Sequence, residues 1–369
     1  MTKQKIQSRG ALEKIKPYSP GKPIWEVQRE FGLRTVVKLA SNENPLGPSP
    51  RALEAIREAL PELHRYPDAQ AIDLRSKIAN KLQVLPEQII VTNGGDELIK
   101  LISETFLEPG DEVVVPEPTF GEYEFGGNLM GAAVISVPLK ENYEYEVEAL
   151  LRAVTERTKI LYLCSPNNPT GTILSRSQLQ QILDFLPKHT LVVLDTAYSD
   201  YVSSSEYTDG VEFVKAGYPL IMLKTFSKVY GLAGIRVGYG VASQEIVNSI
   251  LKVKEPFNVN ALAQIAAAAA IEDDDHVTRS AQLVKQERQR LYGVFQELGL
   301  RYIESSSNFI LLELGTDASK LYQEFMAKGV IVRYGGTWGL PKHVRVTIGT
   351  PEENDMFMKT LREILSSQR

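Results

Sequence analysis

Three charged residues in this chain sit where the surrounding sequence is apolar. Lys228 closes Lys224-Thr225-Phe226-Ser227-Lys228, directly after the apolar run 220–223. Asp195 opens Asp195-Thr196-Ala197-Tyr198, directly after the run 191–194. Arg236 lies between Ala233-Gly234-Ile235 and Val237-Gly238-Tyr239. A lysine is ordinarily solvated. Buried beside another cation it loses its proton more easily and becomes a nucleophile and base. A buried carboxylate can hold a ring nitrogen protonated, and an arginine can grip a phosphate with two hydrogen bonds. Asn93-Gly94-Gly95-Asp96 precedes a helical segment, whose first N–H groups form an anion cradle. Thr225 and Ser227 add hydroxyls beside Lys228. Each feature has a plain alternative: a solvated lysine, a helix-capping aspartate, a surface ion pair, an ordinary turn. Turns alone do not explain why a Lys, an Asp and an Arg fall among them.

The elements that must position these groups are legible as seven short apolar runs: 89–92, 113–115, 134–137, 160–164, 191–194, 220–223 and 237–242. They are apolar at nearly every position, as in strands buried on both faces of a helix-covered parallel sheet. Several gaps, such as 97–107 and 177–186, are long enough for a crossover helix. The fold class expected is α/β, with a large, mostly parallel seven-stranded sheet. Five polar clusters follow directly on five of the runs. They include Glu117-Pro118-Thr119-Phe120 and Ser165-Pro166-Asn167-Asn168-Pro169-Thr170-Gly171. Ligands of open parallel sheets bind outside the carboxyl ends of the strands, so the clusters are expected to share one crevice.

Residues 1–35 read as an N-terminal arm, 36–275 as the large domain, and 276–369 as a smaller α+β domain. The arm contains the turn formers Lys16-Pro17-Tyr18-Ser19-Pro20-Gly21. A helix is expected from Ser49-Pro50, with Leu53, Ile56 and Leu60 lining one face of it. After Ile271, Asp273-Asp274-Asp275 favours a helix start. Val277, Ala281, Val284, Leu291, Phe295 and Leu298 then recur at helical spacing up to a stop at Gly299. Strands are expected near 309–314, 330–333 and 344–348. A last helix is expected from Thr350-Pro351-Glu352-Glu353, a capping-box pattern.

Composition sets the bounds. The chain has 369 residues, 43% of them hydrophobic, and a net charge of −5. That allows about two domains and argues against a nucleic-acid surface of the basic kind. The single cysteine, Cys164, excludes an internal disulfide. No apolar run is long enough to span a bilayer and residues 1–22 lack a signal-peptide core, so a cytoplasmic protein with no membrane partner is expected.

Taken together, Ser165–Gly171 read as a motif, Asp195-Thr196-Ala197-Tyr198, and Ser227-Lys228-Val229-Tyr230-Gly231-Leu232-Ala233-Gly234-Ile235-Arg236-Val237-Gly238 resemble the fold-type-I pyridoxal-phosphate (PLP) aminotransferases, over most of the chain. The resemblance implies that Lys228 is the Schiff-base lysine and that Asp195 pairs with the pyridinium nitrogen. It implies that Tyr198 and Asn168 bond the ring hydroxyl and that Phe120 stacks on the ring. Thr225, Ser227, Arg236 and the Gly95-Asp96 backbone would hold the phosphate, with Tyr66 reaching over from the partner of a homodimer. No metal is implied. Both ends of the chain are similar to the histidinol-phosphate aminotransferase subfamily. They contain Leu39-Ala40-Ser41-Asn42-Glu43-Asn44-Pro45-Leu46-Gly47, Gly329-Val330-Ile331-Val332-Arg333 and Val344-Arg345-Val346-Thr347-Ile348-Gly349-Thr350-Pro351. That subfamily binds a phosphate-bearing amino donor and glutamate in one pocket. Arg333 and Arg345 are the anion clamps it implies, with Tyr18, Asn44 and Asn168 beside them. Position 120 is Phe where many members carry Tyr, and Tyr334-Gly335-Gly336-Thr337-Trp338 departs from the pattern. The alternatives are transamination of aromatic amino acids, decarboxylation of threonine phosphate, or a PLP-fold sensor module without turnover. The sensor is disfavoured because no basic DNA-binding segment precedes Leu39.

Overall fold

The computed structural model describes residues 6–15, 21–315 and 317–367. Among the described residues the strands are β1 (Val37–Lys38), β2 (Ile89–Thr92), β3 (Glu112–Glu117), β4 (Ala133–Pro138), β5 (Thr158–Cys164), β6 (Leu191–Asp195), β7 (Leu220–Thr225), β8 (Gly238–Val241), β9 (Arg301–Tyr302), β10 (Phe309–Glu313), β11 (Val330–Ile331), β12 (Arg333–Tyr334) and β13 (His343–Thr347).

All seven expected runs fall on the seven strands of one sheet, ordered β2-β8-β7-β6-β5-β3-β4. The strands from β4 across to β7 pair in parallel, and β8 runs antiparallel to both its neighbours. The dense apolar spelling has a direct cause. Leu161, Leu163, Val192, Leu194 and Met222 enter the core on one face; Ile160, Tyr162, Val193, Ile221 and Leu223 enter a separate core on the other. Successive side chains of a strand point to opposite faces, so each strand feeds both cores. The edge strand β4 departs from this, burying only Val137. The gaps expected to be helical contain Gly95–Phe106 and Arg176–Phe185, the second closed by a Ser175–Gln178 capping box.

A second sheet, β12-β13-β10-β9, is antiparallel, and β1 pairs with β11 in a parallel two-stranded ribbon. The expected strand at 330–333 is split into β11 and β12, and β9 was not foreseen. The bridging helix is Asp274–Glu297, capped by Asp273, with Gly299 at φ +68° beyond its end. The last helix is Pro351–Ser366, with the Thr350–Glu353 box in place. Among the described residues no helix is long and apolar enough to cross a membrane.

Two features were not foreseen. The arm contains an unforeseen helix, Ile24–Phe31, stopped by Gly32 at φ +66°. Only Val27 of it is buried, packed with Ala40, Met326 and Ile331, so its apolar signal is one residue deep. In the helix Pro50–Ala59 it is Ala52 that is buried, while Leu53 and Leu60 are exposed in the protomer. The helix packs against the alanine-rich Ala261–Ala270, and small residues let the two approach closely.

Ser49 ties the helix Pro50–Ala59 to the start of the bridging helix. Its hydroxyl accepts from Ala52 N at 3.3 Å and donates to Asp273 Oδ2 at 2.6 Å, while Asp273 Oδ1 caps His276 N at 3.3 Å. Ser49→Ala therefore removes a cap and a buried partner of a carboxylate. The variant should lose about 1–3 kcal/mol of stability, read as a lower urea midpoint with an unchanged slope.

Candidate active site

The five polar clusters converge on one cavity of about 1090 Å³, which the second sheet closes from the other side. Gly95 and Asp96 reach it after β2, Phe120 after β3, Asn168 after β5, Asp195 and Tyr198 from β6, and Thr225, Ser227 and Lys228 from β7; Arg236, Arg333 and Arg345 complete its charged lining.

One end is built for an anion. The helix Gly95–Phe106 points its N-terminus into the cavity, and first-turn N–H groups have no carbonyl of their own helix to pair with. Gly94 stands at φ +85°, and a Cβ there would come within 2.5 Å of Arg236 Nη2. Only glycine lets the guanidinium lie against this turn. Arg236 donates to Ser227 Oγ at 3.4 Å and to Asp96 Oδ2 at 3.3 Å, and Thr225 Oγ1 donates to Ser227 Oγ at 3.0 Å. Helix dipole, guanidinium and two hydroxyls share one spot.

Across the floor lies Asp195, buried at the end of β6. Tyr123 Oη donates to its Oδ2 at 2.7 Å and Ala197 N to its Oδ1 at 3.0 Å. Burial lifts its pKa to about 6, against the opposing pull of those two donors. A buried carboxylate is costly unless a cation faces it, so this acid is suited to a protonated ring nitrogen. Phe120 lies against the edge of Tyr123, with ring centroids 5.6 Å apart and planes at 80°.

Lys228 faces the same space. Its Nζ donates to Ser41 O at 3.2 Å and lies 5.6 Å from the Tyr198 ring. Burial, and then the positive Arg345, lower its pKa to about 8. It is an amine that can be neutral near physiological pH.

The far wall is cationic. Arg345 on β13 is buried, donates through Nη2 to Ala40 O at 2.6 Å and through Nη1 to Asn168 Oδ1, and lies between Phe309 and Trp338 at 5.2 and 5.1 Å. Two aromatic faces hold the guanidinium in place. Arg333 on β12 is its direct cross-strand neighbour. Like charges facing each other across a ladder are unfavourable, and an anion between them removes the conflict.

Three expectations fare differently. Asn44 does not line the cavity: its Nδ2 donates to Val229 O at 2.7 Å and Ser280 Oγ at 2.9 Å, and its Oδ1 accepts from Leu46 N at 2.9 Å. These bonds occupy it in tying loop 44–46 to the bridging helix, one residue beyond Glu43, which does line the cavity. Tyr66 is outside its own chain's cavity, 83% exposed and stacked on Phe257 at 4.8 Å. Tyr18 lies outside the described residues. Three contributors were not foreseen: Asn42, Tyr123 and Trp338. Trp338 sits in the segment that departs from the family pattern; Asn42 sits in the quoted Ser41-Asn42-Glu43-Asn44 motif, where Asn44 was chosen instead.

The family described as aminotransferase class I and II matches residues 34–361. The chain is 48% identical to the histidinol-phosphate aminotransferase of Moorella thermoacetica, over 97% of this chain and 93% of that protein. It is 43% identical to that of Caldicellulosiruptor saccharolyticus, over 97% and 99%. Its fold is similar to the crystal structure of histidinol-phosphate aminotransferase from Sinorhizobium meliloti in complex with pyridoxal-5'-phosphate, with a TM-score of 0.91, 26% identity and all of both chains covered.

The lowered pKa of Lys228 has a consequence for stability. Below about pH 8 the folded chain holds a buried charged amine that the unfolded chain holds in water, a penalty of about 3 kcal/mol from the shift between the ordinary 10.5 and about 8. The penalty fades as pH rises from 8 to 10.5, where the folded amine has already lost its proton. Without cofactor, Lys228→Met should therefore melt higher than the wild type at pH 7. That advantage should shrink toward pH 10, checked by melting curves of both proteins across the range.

Proposed function

Because the chain belongs to the class I and II aminotransferases, we propose that it transfers the amino group of L-histidinol phosphate to 2-oxoglutarate, giving imidazole-acetol phosphate and glutamate, with pyridoxal phosphate as cofactor. The observation that carries this reading is the meeting of a proton-poor amine, a buried carboxylate and a helix-and-arginine anion cradle in one cavity.

The residues fit the cofactor. Gly95, Asp96, Thr225, Ser227 and Arg236 would hold its phosphate, Asp195 its ring nitrogen, Phe120 its ring face, and Tyr198 and Asn168 its ring oxygen. Bound there, the cofactor supplies an aldehyde for Lys228 and an electron-withdrawing ring. Lys228 Nζ, when neutral, takes the α-proton of the amino donor; once protonated, it returns a proton as the acid. Arg333 and Arg345 answer the donor's phosphate in one half of the cycle and the distal carboxylate of 2-oxoglutarate in the other. A guanidinium fork suits both anions, so one site serves two substrates in turn and ping-pong kinetics follow.

In this reading residues 36–275 carry the cofactor, residues 276–369 bring the arginines, and residues 1–35 form an arm. The protein works in the cytoplasm as a homodimer. Support for the dimer is the exposure of Leu53, Leu60, Leu63, Tyr66 and Phe257 on one protomer, an apolar set that calls for cover. Tyr66 would then serve the partner's phosphate site.

Purified protein given histidinol phosphate and 2-oxoglutarate should form glutamate, measured by a coupled glutamate assay. Lys228→Ala should lose turnover by several orders of magnitude and lose the yellow colour of covalently held cofactor. Undiminished turnover in that variant would sink the assignment. Lys228→Ala and Tyr66→Ala should each be impaired alone. After mixing, unfolding and refolding together they should regain about a quarter of the wild-type rate, because half of the dimers then hold one complete site. No recovery on mixing would place Tyr66 outside the shared site.

A further inference from the structure

The polar atoms around Asn42 fix the direction of a chain of hydrogen bonds that ends in the cavity. Asn42 is 1% exposed and stands at φ +55°, a left-handed conformation that asparagine, aspartate and glycine tolerate best. Its backbone N–H can only donate, and it donates to Thr347 Oγ1 at 2.9 Å. The threonine's own hydrogen goes to Asn42 Oδ1, 3.0 Å away. With Oδ1 committed as an acceptor, the other end of the amide is the NH2 group, and Nδ2 donates to Tyr198 Oη at 3.0 Å. The phenol oxygen is thereby occupied as an acceptor. Among the described residues no protein acceptor takes the Tyr198 hydrogen, and Tyr198 lines the cavity.

We propose that Asn42 is a positioning residue: by donating to Tyr198 it turns the tyrosine's hydrogen into the cavity, so that Tyr198 serves as a fixed donor to the oxygen of the ring held against Asp195. This rests on the pyridoxal-phosphate reading above and adds to it the reason Tyr198 donates instead of accepting. Thr347 lies on β13 and Tyr198 follows β6, so Asn42 also ties the polarity of the ring site to the sheet that bears Arg345. Asn308, just before β10, holds the Asn42 carbonyl at 3.0 Å and keeps the residue in place.

A donor aimed at the ring oxygen stabilises negative charge there and weakens that oxygen's hold on the neighbouring proton. The pH midpoint of the visible absorbance change of the cofactor-loaded protein therefore lies lower with the donor than without it. The charged groups around this spot are Lys228, Asp195, Arg345, Asp96 and Glu43, and no variant below alters them. Asn42→Asp offers an acceptor where the NH2 stood and draws the phenol hydrogen out of the cavity. Thr347→Val frees the amide to turn over without adding charge, and Thr347→Ser keeps the hydroxyl. Asn42→Asp should raise the midpoint by about one pH unit or more, Thr347→Val should raise it by a smaller step, and Thr347→Ser should leave it at the wild-type value. In a Tyr198→Phe background Thr347→Val should add nothing, since the hydrogen it misdirects is gone. Melting curves identify any variant that does not fold, and Thr347→Val decides alone if Asn42→Asp is lost. An unchanged midpoint in folded Thr347→Val overturns the proposal, as does a Thr347→Val shift that persists in the Tyr198→Phe background. A wild-type protein that takes up no pyridoxal phosphate overturns the functional reading itself and this inference with it, an outcome visible before any variant is made.

Discussion

A primary amine in water keeps its proton until about pH 10.4, and an amine that keeps its proton is neither a nucleophile nor a base. The site therefore depends on what surrounds Lys228 Nζ. Burial removes the water that would solvate the ammonium, and the guanidinium of Arg345 makes a second positive charge unwelcome. Asp195, Asp96 and Glu43 act in the opposite direction but are not hydrogen-bonded to Nζ, whose protein partner is the Ser41 carbonyl. A direct carboxylate partner would restore the ammonium and end the chemistry.

The same need for fixed charge shapes the rest of the cavity. Asp195 is kept from solvent and held by a tyrosine hydroxyl and a backbone N–H, both of which favour the ionised form while burial opposes it. Arg333 and Arg345 are set opposite each other by the register of β12 and β13. Arg236 is laid against a turn whose glycine, at φ +85°, leaves room for the guanidinium where a Cβ would displace it. A buried carboxylate and two facing arginines are costly to hold, and a ligand of opposite charge lowers that cost.

Residues 39–42 join the two halves of this arrangement. Their four successive carbonyls accept from Thr347 N, Arg345 Nη2, Lys228 Nζ and Asn308 Nδ2. One short stretch thus receives Arg345, Lys228 and the second sheet. Just upstream, β1 pairs with β11, immediately before Arg333. A shift of β11 relative to the large sheet would move the wall of the cavity and the Ser41 carbonyl that accepts from Lys228 together.

The sequence by itself determined the large sheet and the helix caps, and it singled out Lys228, Asp195 and Arg236, which all line the cavity. These features are local. A strand buried on both faces must be apolar at every position, a cap needs its serine or threonine beside the first turn, and polar residues directly after such a strand fall at its carboxyl end. Only the tertiary structure decided which of Asn42 and Asn44 faces the cavity, that Tyr123 supports Asp195, that Trp338 covers Arg345, and that Leu53, Leu60 and Tyr66 stand outside the protomer. Asn42 and Thr347 are 305 positions apart, and Tyr123 and Asp195 are 72 apart. No periodicity links such pairs, because their partnership comes from how the chain folds back on itself and not from which residues stand next to one another in it.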